Sequence, residues 1–237
     1  MPVDQYIGGV EHAVMHLLYS RFFMRALKHV NSVKIEEPFT SLQTQGMVCH
    51  QTFKTNKEHW VFPSNVIKKD NEYFHLQTKE PVIAGRIEKM SKSKKNVVDP
   101  QQIIDDFGAD TARFFMLSDS PPNRDMEWSD SGVEGSWRFL NKLWKFVKTL
   151  PYKNTENDLP NNISSRNKEL LTFMNTTVKD VTKAIDEFHF NIAVAQIRSL
   201  FNLVSSYKIE NDNDKKTVFF ITSKLLILIN PMVPHLA

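Results

Sequence analysis

Val10, Val14, Leu17, Leu18, Phe22 and Ala26 recur at the i, i+4, i+7, i+8 spacing of one helix face and predict a helix over residues 10–29. Glu11, His12, His16 and Arg21 fall largely off that stripe. The pattern then changes. Residues 31–85 mix short β-type runs (46–50, 60–62 and 73–77) with polar breaks such as KKDNE, and read as an insertion of small strands and loops. A strand-like PVIAGRI leads into KMSKSKK, where two serines and Met90 fit neither a helical nor a strand period, so 89–95 is a loop. Next, Asp99-Pro100 supplies a helix cap and first position, Gly108 a stop, and Asp110 the cap of a second short helix through Leu117. Residues 118–130 are rich in turn formers. A capping box at Ser131 and Glu134 opens a helix with Val133, Trp137, Leu140, Trp144 and Val147 on its apolar stripe, ending at Pro151. Periodic helices over 165–187 and 190–207 and an apolar one over 215–229, separated by Asn/Asp-rich linkers at 153–162 and 210–216, complete an antiparallel bundle from about 131. The class is mainly α with a smaller α/β part.

Composition narrows the function. Thirty Lys and Arg against 27 Asp and Glu leave +3 on 237 residues, so the whole molecule has no field for holding nucleic acid non-specifically, and basic contacts must be local. The 41% apolar content supports a core. Cys49 stands alone, which excludes an internal disulfide or a Cys-based zinc cluster made by this chain; it reads as a small buried thiol in a reducing compartment. The most apolar run, 218–229, contains Lys224 and is short of the ~20 residues a bilayer needs, so it reads as a buried helix. With no basic leader before 10–29, the expectation is a cytoplasmic protein with no membrane partner. Both ends read as cut: PMVPHLA follows the last helix directly, and MPVDQYIGG has no lead-in element.

Two stretches carry candidate chemistry. In KMSKSKK, Lys89, Lys92, Lys94 and Lys95 stand with Arg86 upstream and one acid, Glu88, between. A solvated charged face is one reading. The other is a mobile loop of point charges facing a polyanion whose charge shifts during reaction, which implies a triphosphate. In IGGVEHAVMH, Gly8 and Gly9 precede a helix start, where backbone N–H groups and the dipole can approach a nucleotide. Glu11 is either a favourable first-turn charge or an acceptor for ribose hydroxyls. His12 and His16 are four apart, yet neither an HExxH order nor a third ligand accompanies them, so they are read as polar or pocket histidines rather than metal ligands. Trp128, Trp137, Trp144 and the phenylalanines of the bundle are assigned to the core rather than to a base-stacking platform, since most fall on apolar stripes. Arg138, Lys142, Lys145 and Lys148 either track a phosphate backbone or form a solvated face.

KMSKSKKNVVDP, followed by FGADTARFFMLSDSPP, EW and SGVEGSWRFLNKLW, resembles the class I aminoacyl-tRNA synthetases, whose signature loop is KMSKS. MPVDQYIGGVEHAVMHLLYSRFF, FNIAVAQIRSLFN and NPMVPH narrow the likeness to the bacterial-type leucyl-tRNA synthetases over nearly the whole chain, weakly over 50–82. The resemblance implies ATP-dependent activation of leucine to leucyl-adenylate and transfer to tRNA(Leu), with Mg2+ accompanying ATP. It implies the second half of a Rossmann-like catalytic domain at 1–41, a small β-rich insertion at 42–85, the KMSKS loop and helical connector at 86–130, and an anticodon-binding-type bundle at 131–237. It assigns Lys89 and Lys92 to the ATP phosphates, with Met90, Ser91 and Ser93 shaping the loop, Gly8, Gly9, Glu11 and His12 to the adenosine, and His16 to the border of the leucine side chain. The family's HIGH-type motif, zinc module and editing insertion have no counterpart in these residues. The expectation is therefore a chain inactive alone that needs an N-terminal catalytic half, in one parent chain or as a separate subunit; the alternative is a non-catalytic tRNA-binding or assembly subunit of a split synthetase.

Overall fold

The structure, a computed structural model, describes residues 2–12, 14–150 and 163–237. Pro151 and the 153–162 linker lie outside them. The chain forms two compact units, one of residues 1–98 and 122–128, the other of 99–121 and 129–237.

The first unit opens with a parallel β-α-β element: β1 (Tyr6–Gly9), a 3₁₀ turn (Val10–His12), α1 (Met15–His29) and β2 (Leu42–Gln45). Tyr6 pairs with Leu42 and Gly9 with Gln45, the connection that parallel strands require. The predicted single helix over 10–29 is thus a 3₁₀ turn and then a helix. Its apolar stripe also sits differently from the sequence expectation: Leu17 and Met24 are buried, whereas Val14, Leu18 and Phe22 are 74%, 66% and 65% exposed. Periodicity fixes the face of a helix but not whether anything covers it.

The rest of this unit is a sheet of β3 (Val48–Thr55), β4 (Trp60–Val61), β5 (Val66–Lys69), β6 (Glu72–His75) and β7 (Pro81–Lys89), in the order β4-β3-β7-β6-β5. Its small core is Phe53, Val61 and Val82. The KKDNE break is a two-residue hairpin: Lys69 pairs with Glu72, and Asp70 and Asn71 both take positive φ, 49° and 68°, as a type I′ turn demands. Part of the predicted loop at 118–130 is a strand, β8 (Met126–Glu127), lying parallel to β3 with Val48 opposite Met126. The reason is Gly46. A methyl there would meet the Arg124 carbonyl oxygen at 2.1 Å, so only glycine lets the two backbones approach. We expect Gly46→Ala to cost about 1–3 kcal/mol locally, read as faster amide hydrogen exchange at Met126 and Trp128, whose N–H groups bond Met47 and Cys49 carbonyls; unchanged exchange at both would contradict it. Cys49 is half-buried, and desolvation first, with the Asp125 and Glu127 carboxylates, pushes its thiol up and keeps it protonated.

The second unit is helical: α2 (Pro100–Phe107), α3 (Ala109–Ser118), α4 (Asp130–Thr149), α5 (Ser165–Asp186), α6 (Phe190–Ser205) and α7 (Asp212–Ile229). Asp99 caps α2 as predicted, its carboxylate accepting from the Gln101 N–H. Asp110 does not cap α3. Its carboxylate instead accepts from the His235 and Leu236 amides at 3.0 and 2.7 Å, which ties α3 to the end of the chain. The box at Ser131 and Glu134 is also corrected: Ser129 is the cap, accepting from Gly132 N–H, and Glu134 pairs with Arg138. Of the predicted α4 stripe, Val133 and Leu140 are buried beside Leu143, but Trp137 and Trp144 stay 43% and 47% exposed. Phe114, Phe139, Phe146 and Phe201 build an aromatic cluster, with the Arg198 guanidinium 5.1 and 4.9 Å from the Phe114 and Phe139 ring centres. The 218–229 run is buried at Val218, Ile221, Leu225 and Ile229, as expected. Among the described residues no helix is long and apolar enough to cross a membrane.

The predicted linker at 210–216 is mostly the first turn of α7, because Asn211 caps it and Asp214 closes a buried network. Asp214 accepts from Asn167 Nδ2 and the Glu210 N–H, both at 3.0 Å, and Tyr207 donates to Asn167 Oδ1. The Glu210 amide above all, with Asn167 and the Arg166 charge, holds the Asp214 carboxyl below its ordinary value. A depressed carboxyl stabilises the fold above its unfolded pKa and loses that contribution as pH falls through the folded one. The stability gap between wild type and Asp214→Asn, measured by urea titration at stepped pH, should therefore be constant near neutrality and shrink below about pH 4. A gap independent of pH down to strong acid would refute this.

Candidate nucleotide-facing site

The lysine loop is a tight turn anchored at both ends. Lys89 closes β7 opposite Cys49 of β3, and the Met90 N–H bonds the Val48 carbonyl at 3.0 Å. Beyond them the chain turns over Lys92–Lys95, with the Lys95 N–H directed at the Lys92 carbonyl and Lys95 at φ 55°. The organising residue is Asn96, only 1% exposed. Its amide nitrogen donates to the carbonyls of His50, Glu88 and Lys89 at 3.1–3.2 Å, and its oxygen accepts from Ser91 N–H at 2.8 Å. One side chain thereby closes the loop onto the sheet. Sequence reasoning passed over it; the available signal was a short polar residue ending a lysine run, where Asn bonds local backbone.

The four lysines have separate fates. Lys94 pairs with Glu88, and Lys95 lies 5.5 Å from the Phe62 ring centre. Lys89 Nζ sits 3.5 Å from Glu11 Oε1. Lys92 is exposed in the turn and, among the described residues, takes part in no ion pair. Ser91 and Ser93 join through their hydroxyls at 2.7 Å.

Glu11 stands in the 3₁₀ turn after β1. Its own backbone N–H chiefly, and then the Lys89 and His12 charges, outweigh desolvation and hold its carboxyl below the usual range. Gly9 leaves room for it, since a methyl at Gly9 would meet Glu11 Oε2 at 2.5 Å. His12 and His16 come together edge to face at 6.2 Å, and His16 stacks on Tyr6 at 5.4 Å. Tyr6, missed in the sequence reading, thus forms an aromatic floor with Phe39 at 4.4 Å. Among the described residues no group of three His, Cys, Asp or Glu is placed to hold a metal ion. The structure therefore brings Gly9, Glu11 and Lys89 together and His12 with His16, while Lys92 and the serines remain on the turn.

The family model described as "tRNA synthetases class I (I, L, M and V)" matches residues 50–129, and the one described as "Anticodon-binding domain of tRNA ligase" matches 167–237. The leucine–tRNA ligase of Paramagnetospirillum magneticum is 47% identical over 238 residues, and that of Rickettsia canadensis 46% over 236, both across 100% of this chain. Over its whole length the chain is similar to the leucyl-tRNA synthetases. It spans 28% of the length of these relatives. A solved leucyl-tRNA synthetase, the LeuRS–tRNA–LeuAMS ternary complex of Agrobacterium radiobacter K84, matches all of the chain with 26% of its own at TM-score 0.73 and 27% identity. The methionyl-tRNA synthetase of Mycobacterium tuberculosis bound by methionyl-adenylate matches 99% of the chain with 42% of its own, at TM-score 0.57 and 17% identity, a likeness of fold alone.

Proposed function

We propose that this chain supplies the KMSKS half of the leucine-activating site of a leucine–tRNA ligase, together with part of the helical surface that supports tRNA(Leu). In the reaction so read, a leucine carboxylate oxygen attacks the α-phosphorus of ATP, the bond from that phosphorus to the bridging oxygen of the β-phosphate breaks, and pyrophosphate leaves with its electron pair. The terminal ribose hydroxyl of tRNA(Leu) then attacks the adenylate carbonyl and AMP departs. Lys89 and Lys92 face the triphosphate, and Lys92 makes the direct contact. Met90, Ser91 and Ser93 shape the turn, Glu11 accepts from the ribose, Gly8, Gly9 and His12 border the adenosine, and His16 borders the leucine side chain. Mg2+ belongs in this reading with the nucleotide, as part of the substrate.

The observation that carries the proposal is the Lys89–Glu11 pair. Residues 78 positions apart meet at 3.5 Å, which puts the phosphate-facing and ribose-facing groups of the reading at one place. Nucleotide binding would replace this exposed ion pair, and such a pair costs little to open.

The uncovered face of α1 supports the further reading that the site is completed by another polypeptide segment. Val14, Leu18, Phe22 and Phe23, all above 60% exposed, form a surface for it to cover. Leucine-dependent ATP–pyrophosphate exchange should accordingly be absent with the purified chain and appear on co-expression with the remaining part of a family member. Turnover by the chain alone would overturn the split-site reading. Restored tRNA binding without exchange would favour the assembly-subunit alternative.

A further inference from the structure

On the helical unit, Phe107, Trp137, Asn141, Trp144, His235 and Leu236 line a groove of about 500 Å³. We propose that this groove receives an unpaired nucleobase of an RNA, with Trp144 as the stacking surface and the α4 cations on the flanking phosphates. The inference rests on the tRNA-ligase reading above and adds to it a site and a mode of contact.

Three observations carry it. First, the two indoles are 43% and 47% exposed on a helix whose other apolar residues are buried or partly buried; Trp137 meets the Phe107 ring edge to face at 6.4 Å, and much of the Trp144 surface is left open. Second, the charge is one-sided. From Arg138 to Thr149 the chain has Arg138, Lys142, Lys145 and Lys148 and no acid; Arg138 pairs with Glu134 and Lys142 lies over the Phe201 ring, which leaves Lys145 and Lys148 as the cations for phosphates. Trp137, Asn141, Trp144 and Lys148 follow one another at the three- and four-residue spacing of a single helix face, with Arg138 and Lys145 beside it. Lys148 Nζ already lies 5.0 Å from the Trp144 ring centre. Third, the carboxylate lining the groove, Asp110, is occupied by the His235 and Leu236 amides and the His235 ring, which leaves it little capacity to repel a phosphate. Aromatic faces interleaved with cations are what a single-stranded or flipped-out nucleotide needs: stacking for the base, point charges for its phosphates. A duplex offers no exposed base face to stack.

The test uses a fluorescently labelled tRNA(Leu) transcript, a labelled oligo(U) and a 12-base-pair RNA duplex, titrated by anisotropy at stepped salt. Trp144→Leu keeps apolar volume without a π face and should weaken tRNA(Leu) and oligo(U) binding about tenfold, while Trp144→Phe should recover most of the loss. Lys145→Ala with Lys148→Ala should make the salt dependence shallower by about one to two charges. Far-ultraviolet circular dichroism checks folding; if Trp144→Leu unfolds, the lysine variants and quenching of tryptophan emission by oligo(U) decide. Tight tRNA(Leu) binding that survives Trp144→Leu overturns the groove and leaves the family reading standing. Trp144-dependent oligo(U) binding without preference for tRNA(Leu) supports the groove and counts against the leucyl reading. Equal competition by the duplex, or Trp144-dependent self-association in sedimentation, assigns the groove to another occupant and overturns the proposal.

Discussion

Alanine at Lys92 is expected to lower leucine-dependent ATP–pyrophosphate exchange about 10²–10³-fold in the reconstituted enzyme, the scale of losing one preorganised group facing developing charge. Among the described residues Lys92 takes part in no ion pair, so in the proposed reading its ammonium is free to meet the pyrophosphate as charge accumulates on it. Because that interaction strengthens on the way to the transition state, the loss should fall on kcat, with a smaller change in KM for ATP. Arginine there should recover only part of the rate, since its flat fork is not a compact point charge. Lys89→Ala should behave differently: it also removes the counter-charge of Glu11 and should raise KM for ATP as well. An unchanged exchange rate for Lys92→Ala would return the loop to the alternative reading, a solvated charged face.

The second large effect is expected at Asn96, which never touches substrate in this reading. Alanine there removes, at a buried position, two amide N–H groups shared among the His50, Glu88 and Lys89 carbonyls and the acceptor for Ser91 N–H, and should cost about 2–4 kcal/mol, because those carbonyls lose their donor where water is excluded. Aspartate should be worse. It keeps the acceptor for Ser91 N–H but turns the donating end into a carboxylate facing three carbonyl oxygens, and a buried charge without a partner is among the costliest changes. Denaturation of the three chains reads the stability loss, and exchange activity of the complemented variants reads the loop. If Asn96→Ala unfolded at the wild-type midpoint, the anchoring role would be wrong.

The local conformation of the lysine loop was legible because its pattern is local in sequence. Serines and Met90 break any helical or strand period, so the lysine run read as a loop; the glycines read as preceding a helix instead end β1, and a methyl at either would meet the Tyr6 or Glu11 side chain rather than backbone. Pairwise placement was not legible. Nothing in the spacing of residues 11 and 89 says that Glu11 and Lys89 meet, since that follows from the β-α-β element and the β3–β7 register. Asn96 and Tyr6 were missed for the same reason: their partners are the carbonyls of another strand and a ring in the next element.

By itself the sequence determined the helices of the bundle, the strand before the loop, the cap at Asp99 and the likeness to leucyl-tRNA synthetases, because each rests on short-range period, turn chemistry or a contiguous motif. Tertiary structure decided what those elements face. Trp137 and Trp144 carry the period of a core stripe yet line an open groove, Asp110 has the look of a cap yet holds the chain end, and Leu18 and Phe22 lie uncovered on α1. Amphipathic period reports only that one side of a helix is apolar; burial requires a second surface, and that surface lies elsewhere in the chain or in a partner.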